Sequence, residues 1–281
     1  MDDTVAIMAH IIVPEAEAIL DREFPVLDHG FVRLVDYLGG DSRIVAAARV
    51  SYGTGTKSPK EDSALIRYLM RNMHTSPFEQ VILTFHAKMP IFVARQWIRH
   101  RTARVNEFSG RYSVMPDEFY LPKLEDILKQ NRKNKQGRSG EETPPELQNK
   151  VLDILKRSQA DAYSGYQEML HDDIARELAR INLPLSAYTQ WYWQVDLHNL
   201  FHFIKLRMDK HAQYEIRQYA EVMAQMAKAV VPVAYEAFEE YLLHATSLPR
   251  SVRGRLLNLL RSLAPGSPEA AEILKSIEDD R

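Results

Sequence analysis

Cysteine is absent from all 281 residues. That excludes disulfide cross-links, a thiolate nucleophile, thiolate metal sites and iron–sulfur ligation. Surplus charge is missing too: 36 basic against 38 acidic side chains leave a formal net charge of -2. A general nucleic-acid binder carries a basic surplus, so any anion site must be local. No apolar run approaches the ~20 residues of a membrane-spanning helix. The start, Met1-Asp2-Asp3, is acidic and no cleavage-type pattern follows, so the chain reads as cytoplasmic, with neither nucleic acid nor membrane as partner. What is present is a 45% hydrophobic content, enough for one large domain or two small ones, without an internal repeat.

Periodicity organises the chain. Residues 1–26 read as an N-terminal extension with a weak helix at Ala16 to Leu20, bracketed by Pro14 and Pro25. Phe31 to Leu38 alternates in part and meets Gly39-Gly40, which predicts a strand ending in a turn. Ser42 to Val50 reads as a helix capped by Asp41 or Ser42. Gly53-Thr54-Gly55-Thr56-Lys57 superficially resembles a phosphate loop but lacks the Walker spacing and is read as a plain loop. Lys60 to Asn72 forms an amphipathic helix. Val81, Leu83, Phe85, Ala87 and Met89 alternate with polar residues, which predicts a half-buried strand. Pro90 then opens a helix from about Ile91 to Arg101, with Gln96, Arg99 and His100 on one face.

Residues 123–150 are polar and read as a mobile insertion. Helices are expected at Leu152 to Leu170 and Asp173 to Ile181, a strand at Tyr188 to Val195, and one long helix from about Leu197 to Ala229. Residues 246–281 read as an appendage of a basic and an acidic helix around a Pro-Gly-Ser-Pro break. The principal domain spans 27–245.

The densest chemistry lies in Arg99-His100-Arg101-Thr102-Ala103-Arg104-Val105-Asn106-Glu107-Phe108-Ser109-Gly110-Arg111-Tyr112-Ser113. Arginine supplies a planar fork for phosphate, and Asn106, Glu107 and Ser109 offer donors and acceptors able to read the edge of a base. A solvated basic loop has the same composition. Ser109 has no evident His/Asp relay beside it, so hydrogen bonding suits it better than nucleophilic attack. A second cluster follows Asp196. His198 and His202 stand four apart, but His211 is about 13 Å further along a helix from His202 and no His-Glu-x-x-His pattern is present, so no metal site is expected.

Arg-His-Arg followed by Asn-Glu-x-Ser-x-Arg-Tyr resembles the signature of the flavin-dependent thymidylate synthases. Arg104 departs from it, standing where many members carry serine. Leu206-Arg207-x-x-x-His211-Ala212-Gln213 resembles the family's second segment, and His74-Thr75-Ser76-Pro77-Phe78-Glu79 resembles the segment that holds flavin, with Ser76 in place of a frequent threonine. The likeness covers roughly residues 27 to 245. It implies an α+β fold, an antiparallel or mixed sheet packed with long helices, assembled as a homotetramer whose active sites draw on more than one chain. It implies methylation of dUMP to dTMP without a cysteine nucleophile. Methylenetetrahydrofolate (the 5,10-form) is the implied carbon donor, reduced FAD the hydride source and NADPH the reductant. Carried over residue by residue, dUMP would meet Gln96, Trp97, Ile98, Arg99, Glu107, Phe108, Ser109, Gly110, Arg111, Arg180 and Arg207. Arg207 would be the catalytic group, stabilising negative charge on the pyrimidine. FAD would meet Ser76, Glu79, Arg99, His100, Arg101, Glu107, Asp196, Leu197, His198, His202 and His211. Asp196, His198 and His202 are departures from the asparagine, arginine and asparagine of some members. Rival readings are a nucleic-acid-binding module built on Arg99 to Arg111, a flavoprotein reductase with another acceptor, and an inactive homologue serving as scaffold.

Overall fold

The computed structural model describes residues 11–50, 59–132 and 137–279; the candidate phosphate loop at 53–57 lies outside them. The chain divides into two compact units, Met1–Leu242 and Leu243–Arg281.

The first unit is built on a five-stranded antiparallel sheet. After a four-residue helix α1 (Pro14–Glu17) come β1 (Glu23–Val26) and β2 (Gly30–Leu38). The sheet thus starts upstream of residue 27. Next are α2 (Asp41–Arg49), α3 (Pro59–Arg71), β3 (Ile82–Pro90), α4 (Ile91–Trp97) and β4 (Arg104–Glu107). Then follow α5 (Pro145–His171), α6 (Arg176–Ala179), β5 (Tyr188–Asp196), α7 (Leu197–Arg207), α8 (Tyr214–Val230) and α9 (Pro232–Phe238). The strand order is β1-β2-β3-β5-β4, every neighbour antiparallel.

Alternation decides which face is core. Val81, Leu83, Phe85, Ala87 and Met89 are all fully buried, and from β5 so are Trp191, Trp193 and Val195. On β2, Val32 and Leu34 point inward, and a register shift between Leu34 and Asp36 lets Tyr37 turn inward as well, which strict alternation would forbid. Helices α4, α7 and α8 cover this face. Trp97 sits at its centre, within 5.4 Å of Trp191 and Trp193, 5.0 Å of Phe203 and 6.0 Å of Tyr219, ring centroid to ring centroid.

Several elements differ from the sequence reading. Helix α4 ends at Trp97 rather than Arg101, so Arg99 and His100 lie beyond it and not on its face, and α5 begins at Pro145, inside the segment read as an insertion. Arg104–Glu107 is an edge strand rather than loop, paired residue for residue with Gln194 to Trp191. The long helix is two, broken between Arg207 and Tyr214, where Asp209 accepts from the His211 N–H at 2.8 Å and closes a turn. Asp41 does not cap its own helix: its two oxygens accept from the N–H groups of Val233 and Ala234, both at 2.9 Å, and so cap α9. In the second unit, α10 (Arg250–Leu263) and α11 (Pro268–Asp279) pack together around the Pro-Gly-Ser-Pro break.

Candidate active site

The junction of β5 and α7 organises the first cluster. Asp196 caps α7 by accepting from the Asn199 N–H at 2.9 Å. Eleven residues later the helix ends at Arg207, whose guanidinium turns back toward the segment after α4. Its Nε–H donates to His100 Nε2 at 3.0 Å, and Nη2 donates to the Gln96 carbonyl at 3.1 Å. The imidazole lies edge-on to Phe203 at 4.9 Å and 5.7 Å from the His202 ring. Burial, then the charge on Arg207, then His202, push the His100 pKa down to about 4. Burial also lowers Arg207. His100 is therefore neutral at pH 7 with its proton on Nδ1, since Nε2 accepts. Around this pair lies a cavity of about 440 Å³, walled by Arg99, His100, Arg101, Asn199, His202 and Arg207. Arg99 and Arg101 both line this cavity of ligand size, and among the described residues neither forms an ion pair with a carboxylate. That donor set fits a diphosphate such as the one FAD carries.

His202 is also a wall of a second, smaller cavity of about 140 Å³, with His74, Thr75, Phe78, His198 and Phe201. The structure thus brings the 74–79 segment to the histidines of α7, 120 residues away in sequence, over an apolar floor. Ser76 faces a neighbouring hollow with Pro77 and Gln80, and Glu79 accepts from the Thr75 hydroxyl at 3.1 Å. Leu197 is buried and its N–H is given to the Val81 carbonyl at 2.8 Å. His211 lies on the turn after α7, its Nδ1 2.8 Å from Asp209, whose carboxyl is held below the usual range by the His211 backbone N–H and ring.

The remaining candidates lie at the other end of β4. The Glu107 carboxylate accepts from the Thr189 hydroxyl at 2.8 Å, and the Phe108 N–H donates to the Gln190 carbonyl. Ser109 accepts from the Arg111 N–H at 3.3 Å. Gly110 is buried where a Cβ would lie 2.8 Å from Met115 Sδ and 3.1 Å from Arg180 Cδ, so the absence of a side chain is what lets Arg180 approach this turn. Tyr166 and Tyr163 of α5 fix the turn, bonding the Met115 N–H at 3.0 Å and its carbonyl at 3.1 Å. Arg111 pairs with Glu177 at 3.1 Å. The sequence-identified dUMP residues therefore form two sets: Gln96, Arg99 and Arg207 near one end of β4, and Ser109, Gly110, Arg111 and Arg180 beyond the other. Three residue steps of about 3.3 Å separate the ends, roughly 10 Å. The Trp97 side chain is sealed in the aromatic core, so only its main chain could meet a ligand; Ile98 is partly exposed.

Sequence reasoning missed Glu215, which is only 1% exposed. The signal was available: a carboxylate beside Ile216 and four residues before Tyr219, on the apolar stripe of α8. It also missed Thr189, Asn199 and Glu177, whose roles come from partners far along the chain. Among the described residues no three His, Asp or Glu side chains are grouped to hold a metal ion, and no helix is long and apolar enough to cross a membrane.

Residues 33–233 match the family described as thymidylate synthase complementing protein. A flavin-dependent thymidylate synthase of Treponema denticola is 64% identical over 222 residues, 79% of this chain and 84% of the relative. One from Wolbachia pipientis is 56% identical over 255 residues, 91% of this chain and 88% of the relative. Among solved structures, a UMP/dUMP methylase, PolB from Streptomyces cacaoi, bound with 5-Br dUMP, superposes with a TM-score of 0.71 at 34% identity, covering 78% of this chain and 98% of that one. A match of that length, at those identities and on the same fold, means that the chain belongs to the flavin-dependent thymidylate synthase family of methyl-transferring enzymes.

Proposed function

We propose that this chain converts dUMP to dTMP by reductive methylation, taking its carbon from 5,10-methylenetetrahydrofolate and using FAD that NADPH re-reduces. The observation that carries the reading is the Arg207 guanidinium, anchored by His100 and the Gln96 carbonyl at the edge of the cavity that Arg99 and Arg101 face. Bound FAD would supply the hydride; Arg99, His100, Arg101, His198 and His202 are the side chains that would hold it.

The protein's own part is electrostatic. Two of the five N–H groups of Arg207 are committed to anchors, which leaves three for a ligand. The anchors fix the plane of the fork before substrate arrives, so stabilising charge on a uracil carbonyl needs no reorganisation. Neutral His100 adds no repelling charge and offers Nδ1–H as a donor. Arg111 and Arg180, flanking Gly110, are suited to the dUMP phosphate, with Ser109 as a further hydrogen-bond partner. Because the two dUMP sets lie roughly 10 Å apart along β4, we assign each nucleotide to the Arg207 set of one chain and the Ser109–Arg180 set of another, within a homotetramer.

Tritium release from C5-labelled dUMP tests the reading. Release that requires both FAD and methylenetetrahydrofolate is the expected result. A folded, yellow protein that oxidises NADPH but releases no tritium would overturn it in favour of another acceptor.

A further inference from the structure

The second unit, Leu243–Arg281, falls beyond residues 33–233, which carry the family match. Its helices run antiparallel: Arg253, near the start of α10, donates to the Ile277 carbonyl near the end of α11 at 3.0 Å. Among its described residues only Leu257, Leu260 and Ala270 are buried. A unit of under about 40 residues rarely holds together on so small a core without a disulfide, a metal or a second chain. The sequence has no cysteine, and among the described residues no three side chains are grouped to hold a metal ion.

The hairpin has a second apolar face. At about 100° per residue, Val252, Leu256, Leu259 and Leu263 fall within about 60° of one another on α10. The side turned to α11, marked by Arg253, Leu257 and Leu260, is centred about 100° further round. Val252, Leu259 and Leu263 are exposed, and so is Ile273 of α11. Because the two helices are antiparallel, Ile273 falls on the same face of the hairpin as the open α10 stripe. Two apolar sides at roughly a right angle are what each member of a four-helix bundle needs, one for each neighbour.

Charge indicates what covers this face. Helix α10 carries Arg250, Arg253, Arg255 and Arg261 and no acidic residue, whereas α11 exposes Glu269 and Glu272. Exposed Arg255 borders the stripe on the outer edge of α10, and Glu272 borders it on the outer edge of α11. A two-fold contact sets one residue against a second and the second against the first. A hairpin of one basic and one acidic helix is therefore complementary to its own copy when α10 of each lies over α11 of the other. An anionic membrane or a nucleic acid would be repelled by the acidic helix on that same face.

We infer that the C-terminal hairpin is a self-association module. Two copies pack face to face as a four-helix bundle, with Arg255 of one beside Glu272 of the partner subunit. This contact is separate from the shared active sites proposed above and does not depend on the dUMP reading.

The lack of native cysteine makes the test clean. Full-length Arg255→Cys and Glu272→Cys chains are co-expressed and treated with a short bis-maleimide, able to bridge helices whose axes lie about 8–10 Å apart. The expected result is a covalent dimer from the mixture and none from either variant alone, because like positions sit on opposite edges of the bundle. Adding Leu259→Lys to both chains, in the middle of the stripe, should cut the dimer about tenfold, the scale of one half-buried leucine. Wild-type circular dichroism confirms that each chain is folded. No dimer from the mixture would give the stripe to another occupant, this chain's first unit or a different protein, and overturn the inference. Cross-linking by Arg255→Cys alone would set α10 against α10 and overturn it as well. A dimer that Leu259→Lys leaves unchanged would be chance collision and would count against the apolar contact.

Discussion

Replacing Arg207 by alanine should separate chemistry from cofactor binding. The side chain makes two hydrogen bonds within the chain, to His100 Nε2 and to the Gln96 carbonyl, which leaves three N–H groups for the proposed substrate. Losing one preorganised donor at a developing oxyanion costs about 10²–10³ in kcat, or about 2.7–4 kcal/mol, so turnover should fall by at least that factor. Stability should change little. His100 is only partly buried, and water can replace the lost donor at Nε2, so the cost stays below about 1 kcal/mol, a Tm fall of about 2–4 °C in a domain of this size. Arg207→Lys keeps the charge but not the fork, and cannot reach both anchors and a base at once, so most of the loss should persist. The assay is tritium release for kcat and KM, with flavin per chain measured on the same preparations. Flavin content within about twofold of wild type, alongside that loss of turnover, is the expected outcome if Arg207 serves the substrate rather than the flavin. Loss of flavin in proportion to activity would put Arg207 in the flavin site and refute the argument.

Further predictions follow from the same contacts. His100 takes a proton near pH 6.5 when unfolded and only near pH 4 when folded. The unfolded chain therefore binds more protons between those values, and this contribution to stability is full above pH 6.5 and lost as pH falls toward 4. His100→Gln should flatten that part of the Tm–pH curve; an unchanged slope rejects the assignment. Trp97→Ala empties the centre of the aromatic core and should cost about 3–5 kcal/mol, visible as a large drop in Tm; a shift under about 2 °C would mean the site had been misjudged. Asp41→Ala uncaps α9 and should cost about 1–2 kcal/mol in denaturant unfolding, with Asp41→Asn costing less; equal losses would point to charge rather than capping.

Much of the fold could be read before the structure, and the failures have local causes. The alternation of Val81 to Met89 marks β3 because one face of that strand is wholly core. Nothing comparable marks β4, since Arg104, Val105, Asn106 and Glu107 are all exposed. They form a strand because β5 offers them an edge, which is a tertiary fact. The α7–α8 break contains neither proline nor glycine, so helical periodicity runs straight through it; the Asp209 side chain competes for the backbone there. Asp41 shows the same limit, a capping residue whose helix lies 192 positions away.

The active-site chemistry was legible as residue types and illegible as pairs. Arg207 and His100 are 107 residues apart, and no spacing rule joins them. Yet burial, and then that contact, keep His100 a neutral acceptor, and the same contact fixes the plane of the Arg207 fork. The same holds for Glu215, a buried carboxylate that takes hydrogen bonds from Tyr120, Arg138 and Gln213 and that a periodic reading would count as a blemish on α8. The two dUMP sets carry the reasoning one step further. A nucleotide gripped by both sets of one chain would have to run along the edge of the sheet past β4, exposed over roughly 10 Å. Gripped by sets from two chains, as proposed, it would be enclosed, water would be kept from the charge on the base, and the three remaining N–H groups of Arg207 would act where they are strongest. Enclosure of that kind predicts that dissociating the oligomer abolishes turnover before it unfolds the chain, and coincident loss of both on dilution would count against shared sites.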